Sequence, residues 1–164
     1  MKQPYRDLKV KAKTVRETAE KLLEERQEHN EADPGAAYPL LFEELLQELD
    51  ITAQYWDKYR AFNDPLHSPD SFKDLYPLST DKDYKIYLSL YKQRKDLQEV
   101  ISKTEQKLGA GVVKTALLNP KLQTFCIFLT KQKCYGGYTD RPEAASPGDV
   151  KIAIKLLDDK GRLM

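Results

Sequence analysis

The chain has 164 residues, a formal net charge of +1, 32% charged residues and 10% aromatics, with ten tyrosines. That length allows one domain or two very small ones, and the composition suits a folded protein rather than a disordered one. No apolar run approaches the roughly 18 residues of a membrane span, and no apolar stretch follows the lysine-rich start, so a cytoplasmic protein without a membrane partner is expected.

Charge is spread unevenly. Residues 1–16 hold six Lys and Arg against Asp7 alone, whereas residues 17–50 hold Lys21 and Arg26 against eleven Asp and Glu. A basic arm, with Lys9, Lys11 and Lys13 at its centre, is a footprint of phosphate-backbone contact and equally of a solvated helix end. Leu8, Ala12, Val15, Ala19 and Leu22 recur at 4-3-4-3 spacing. That spacing predicts an amphipathic helix from residue 5 to about 29, beginning after Pro4. "NEADPGAAYP" (30–39) reads as a linker, and "LLFEELLQEL" (40–49) as a second helix with Leu41, Leu45, Leu46 and Leu49 turned inward.

Asp50 and Thr52 both suit an N-cap, so residues 50–52 make a tight joint before the helix in "DITAQYWDKYRAF" (50–62). Two short helices around a short turn are the pattern of a helix-turn-helix, and also of any plain helical hairpin. Trp56 and Tyr59 are placed to pack. Thr52, Gln54, Tyr55, Lys58 and Arg60 are left as groups able to reach base edges or phosphates.

Residues 63–80 contain three prolines and read as an ordered loop or short turns. A long helix is predicted over 81–108, with Ile86, Leu90, Leu97, Ile101 and Leu108 on one side and Gly109 and Gly111 ending it. A short helix over 112–118 leads to Asn119, the expected cap of a helix over 120–133 with Pro120 at its first position. That last helix carries Leu122, Phe125, Cys126, Ile127, Phe128 and Leu129, an apolar arc too wide for one neighbour. Part of its burial is expected from another subunit, with Leu97, Ile101, Leu122, Phe125, Phe128 and Leu129 as interface candidates.

In the tail, Val150, Ile152, Ile154 and Leu156 alternate with Lys151, Ala153 and Lys155, as in a strand, and "DDKG" reads as a turn. Val150, Ile154 and Leu157 also suit a short helix. Cys126 and Cys134, with only His29 and His67 elsewhere, match no zinc spacing, so neither a metal nor a cofactor is expected.

Three segments resemble the small subunit of tailed-bacteriophage terminases, the DNA-recognition component of viral genome packaging. "LDITAQYWDKYR" (49–60) is similar to that family's helix-turn-helix, with Trp56 and Tyr59 at its Trp and Tyr positions. "RKDLQEVISKTEQ" (94–106) is similar to its following helix. "NPKLQTFCIFLTKQKCYGGYTDRPE" (119–143) is similar to its Asn-Pro-x-x-x-x-Phe-x-Leu-Lys segment, which closes in Gly-Tyr-x-Asp. Together they cover about half of the chain. Residues 63 to about 90 look inserted relative to the family, and Cys134 to Gly136 lengthen the loop before Gly137.

The resemblance implies a mainly α fold in four parts. They are a helical region with the DNA-binding motif (1–62), a proline-rich connection (63–80), a central helical hairpin for oligomerisation (81–139) and a tail with a strand pair (140–164). It also implies a non-enzymatic protein that forms a homo-oligomeric ring in the host cytoplasm, with double-stranded viral DNA and the large terminase subunit as partners. A helix-turn-helix transcription regulator is the alternative, and an adaptor without DNA affinity is a third. No phosphate-binding loop, nucleophile elbow or metal-spaced acidic set favours an enzyme.

Overall fold

A residue before proline is pushed out of the helical region, and Asn119 before Pro120 therefore ends the longest helix of this chain. The computed structural model describes residues 5–64 and 68–137. The expected tail strand (150–156) and its turn lie outside them. Within the described residues the fold is mainly α. The helices are α1 (Ala12–Ala32), α2 (Phe42–Leu49), α3 (Ala53–Arg60), α4 (Pro69–Leu75), α5 (Asp81–Leu118) and α6 (Gln123–Thr130). Short 3-10 turns occupy Pro34–Ala36, Pro120–Leu122 and Lys133–Tyr135.

With 38 residues, α5 is about 57 Å long at 1.5 Å per residue, and α1, α3, α6 and the last 3-10 turn all pack along it. It opens with a reciprocal cap. Thr80 Oγ1 accepts the Asp83 N–H at 3.2 Å while Asp83 Oδ2 accepts the Thr80 N–H at 2.7 Å. Contrary to the sequence reading, Gly109 and Gly111 lie inside this helix and do not end it. A Cβ on Gly111 would meet Leu23 Cδ2 at 3.4 Å, so the missing side chain lets α1 lie close against α5. The separate helix over 112–118 is simply its last two turns.

Other boundaries moved for identifiable reasons. Residues 5–11 do not join α1, because they run as a separate segment bonded to α3 and α5. The 63–80 stretch contains α4, since Pro69 sits at a helix start, where its missing N–H costs nothing, behind the Ser68 cap. Phe72 of α4 is fully buried, with its ring 4.8 Å from that of Tyr87. Tyr87, and not Ile86, is the buried residue on this part of α5. Asp50 is left-handed (φ 54°, ψ 48°) and closes α2, where the Ile51 N–H reaches the Leu46 carbonyl at 3.2 Å. Thr52 caps α3 as expected, accepting the Tyr55 N–H at 3.1 Å.

Asn119 does not cap the following helix. Its Nδ2 donates instead to the Ala37 carbonyl at 3.1 Å, tying the 34–37 linker to the end of α5. Asn30, buried at the other end of that linker, both donates to the Tyr38 carbonyl and accepts its N–H, each at 3.0 Å. The segment expected as one helix over 120–133 is an eight-residue α6 between two 3-10 turns. Tyr135 in the second turn places its hydroxyl 2.7 Å from the Phe42 N–H, satisfying an otherwise unpaired donor at the start of α2. The core between these elements is centred on Val15, Leu45, Trp56, Leu97, Ile101, Leu108, Val112 and Cys126.

Gly111→Ala decides whether the close α1–α5 approach is saturated. Alanine gains about 1 kcal/mol of helix propensity, and 3.4 Å is an ordinary contact, so chemical denaturation should show a gain approaching that size. A loss would mean that Leu23 cannot give way.

Candidate nucleic-acid interface

Arg94, Gln98 and Glu105 are spaced four and seven residues apart on α5, which puts them on one face of the helix. Together they hold the elements that carry the predicted DNA-contacting residues. Glu105 is buried, and one of its oxygens, Oε2, accepts from Trp56 Nε1 at 3.1 Å, from Arg60 Nε at 2.7 Å and from Arg60 Nη2. Arg60 also pairs with Asp57 at 2.5 Å. Two turns earlier, Gln98 Nε2 donates to the Arg60 and Phe62 carbonyls at 3.0 and 2.8 Å. Those are carbonyls at the end of α3 that have no helical partner of their own. Both the side chains and the C-terminal end of α3 are thus fixed to α5.

The basic segment reaches the same place. The Lys9 N–H donates to the Tyr55 hydroxyl at 3.0 Å, bridging 46 residues of sequence and laying residues 5–11 beside α3. Burial raises the Tyr55 hydroxyl pKa, and the Lys9 N–H opposes this in part, so the hydroxyl stays neutral and is occupied by this bond. Lys9, Lys11 and Lys13 are exposed, as are Gln54 and Lys58 of α3. The Lys58 ammonium lies 5.4 Å from the centre of the Tyr59 ring. Lys13 has a weak partner in Glu17 at 3.9 Å, and Asp96 shares a small cleft with Lys11 and Lys13. Lys9, Lys58 and Gln54 are therefore the least encumbered groups of this face.

The other candidates have structural duties. Arg60 is committed to Glu105 and Asp57, Thr52 to its cap, and Tyr55 to Lys9. Sequence reasoning missed Arg94, Gln98 and Glu105, although their common helical face was a readable signal.

The expected interface residues divide in the same way. Leu97 and Ile101 are 0% and 1% exposed, buried within the chain itself, and Leu129 is buried as well. Leu122 is half-buried. Phe125 is exposed beside Tyr38, at 6.0 Å between ring centres, and Phe128 and Leu117 are 63% and 68% exposed. Cys126 and Cys134 are free thiols, both pushed up to about 11 by burial, so neither ionises near neutrality. Among the described residues, no cluster of His, Cys, Asp and Glu could hold a metal, and no helix is long and apolar enough to cross a membrane.

Comparison with protein-family models, with curated proteins and with solved structures found no match. The reading of this face rests on its own residues.

Removing one partner of a buried ion pair strands the other charge, at a cost of about 3–5 kcal/mol. Glu105→Ala leaves the Trp56 N–H without an acceptor and Arg60 with Asp57 alone, so denaturation followed by Trp56 fluorescence should show a loss of about 2–3 kcal/mol, at or just below the low end of that range. Trp56 is the single tryptophan and reports α3 docking directly. The double variant Arg60→Met, Glu105→Leu should recover most of the loss. A Glu105→Ala protein as stable as the parent would remove the network from this role.

Proposed function

We propose that this chain is a DNA-recognition protein of the small-terminase-subunit type, non-enzymatic, which marks viral DNA for packaging and acts on a large terminase subunit. In this reading α2 and α3 are the helix-turn-helix. The observation that carries it is the Lys9–Tyr55 bond, which joins the basic segment and the exposed side of α3 into one face. Duplex phosphates would run along Lys9, Lys11 and Lys13, while Gln54 and Lys58 reach toward base edges.

One subunit with net charge +1 binds DNA weakly, and several such faces on one duplex act multivalently. Self-association into a ring supplies that multiplicity. Its support is the exposed apolar surface of Leu117, Phe125 and Phe128, which the chain does not cover with its own described residues.

Two measurements follow. Changing Lys9, Lys11 and Lys13 together to Ala should weaken binding to every duplex and flatten the salt dependence by roughly 2–3 in slope, as fluorescence anisotropy would read it. Changing Gln54 and Lys58 to Ala should instead narrow the difference between cognate and unrelated DNA. Affinity untouched by both sets would move the contact surface elsewhere.

For assembly, Phe128→Asp alters a side chain that is mostly exposed in the single subunit, so its own stability should change by about 0.5 kcal/mol or less. Light scattering should nevertheless show smaller particles than the parent. A parent that is monomeric, or a variant of unchanged mass, would count against the ring.

A further inference from the structure

Arg94 is 3% exposed, and among the described residues no carboxylate pairs with it. Its Nη1 donates to the Leu90 carbonyl at 3.1 Å and its Nη2 donates to the Arg6 carbonyl, 88 residues away in sequence. The face of the guanidinium lies 4.2 Å from the centre of the Tyr5 ring, which itself stacks on Tyr87 at 5.7 Å. A buried cation held only by carbonyls and a ring is costly to keep, because burial is normally offset by an opposite charge. The segment that covers it carries Arg6 and Lys9 against Asp7, so it adds net positive charge rather than a compensating carboxylate pair.

We infer that Arg94 is a positioning residue of the DNA-binding face: it straps residues 5–9 against α3 and α5 and so fixes where Lys9 stands, without touching DNA itself. The inference rests on the reading of that face as DNA-binding. The segment has two anchors, Arg94 at the Arg6 carbonyl and Tyr55 at the Lys9 N–H. A loose arm pays conformational entropy for each phosphate contact, whereas a strapped arm has lost that freedom on folding. The unpaired charge of Arg94 gives the strap a second property. A duplex brings a dense negative charge to this region, and whatever DNA binding adds to the strap, the strap returns to DNA binding in equal measure.

The chemistry at this position is specific to arginine. Its planar fork spans two carbonyls while one face stacks on a ring, which a lysine ammonium cannot do. Arg94→Lys therefore keeps the charge and loses the strap, and Arg94→Met loses both.

The experiment uses the full chain and has two arms. In the first, tryptic cleavage after Lys9 is followed by mass spectrometry without DNA. Cleavage should be about ten-fold faster in both Arg94→Met and Arg94→Lys while the helical signal is kept, because local opening governs it. Unchanged cleavage in Arg94→Met would overturn the positioning role whether or not the protein binds DNA.

In the second arm, binding to a 30-base-pair duplex is measured by anisotropy. Lys9→Ala should weaken binding in the parent and have almost no further effect in Arg94→Met, since the lysine is then no longer placed. Equal losses in both backgrounds, or full affinity in Arg94→Lys, would mean that Arg94 acts only through its charge and would overturn the inference. A parent that binds no duplex, while Arg94→Met still loosens the segment, would overturn the DNA reading and leave the strap standing.

Discussion

The acceptance of three N–H donors by the buried Glu105 is the interaction on which the rest of this structure depends. α3 has eight residues, too few to be stable alone in water. It buries Trp56 and Tyr59 against the long helix, but apolar packing by itself does not fix its rotation. The fork of Arg60 and the indole N–H of Trp56, both directed at one carboxylate oxygen, do fix it. Once α3 is set, Tyr55 has a defined place, and the basic segment that docks on Tyr55 has one too.

The same helix face thus organises two different parts of the proposed DNA surface. Glu105 and Gln98 hold α3, and Arg94 holds the strap, all within three turns of α5. Charge is arranged accordingly. The buried carboxylate is matched by Arg60, whereas the buried guanidinium of Arg94 is matched by no carboxylate among the described residues. The outward result is a face whose exposed groups are mostly cationic, on a chain that is close to neutral as a whole. Elsewhere along α5, α6 places Cys126 and Leu129 in the core and leaves Phe128 outside.

Much of the helical layout was legible because it follows from local rules. The helical spacing of Ala12, Val15, Ala19 and Leu22, the Thr52 cap and the apolar run of α2 depend on neighbours in sequence, whereas Leu8, which continues the same spacing, lies outside α1. What was not legible depends on distant partners. Gly111 reads as a helix end unless Leu23 is known to press against it. Asn119 reads as a cap unless the Ala37 carbonyl is known to stand beside it. Arg60 reads as a phosphate contact until Glu105, 45 residues later, takes its donors. Leu97 and Ile101 read as interface candidates because the sequence does not reveal how much of α5 the N-terminal helices cover. Residue types name the candidates for a basic face, and only tertiary contacts separate free groups from committed ones.

Amide hydrogen exchange of the full chain, with and without a saturating duplex, tests the central claim that the basic segment and α3 form one DNA-binding face. The account predicts added protection over residues 6–13 and 53–60 together, with both segments responding at the same DNA concentration. Protection of only one segment, or protection confined to residues beyond Leu118, would contradict it.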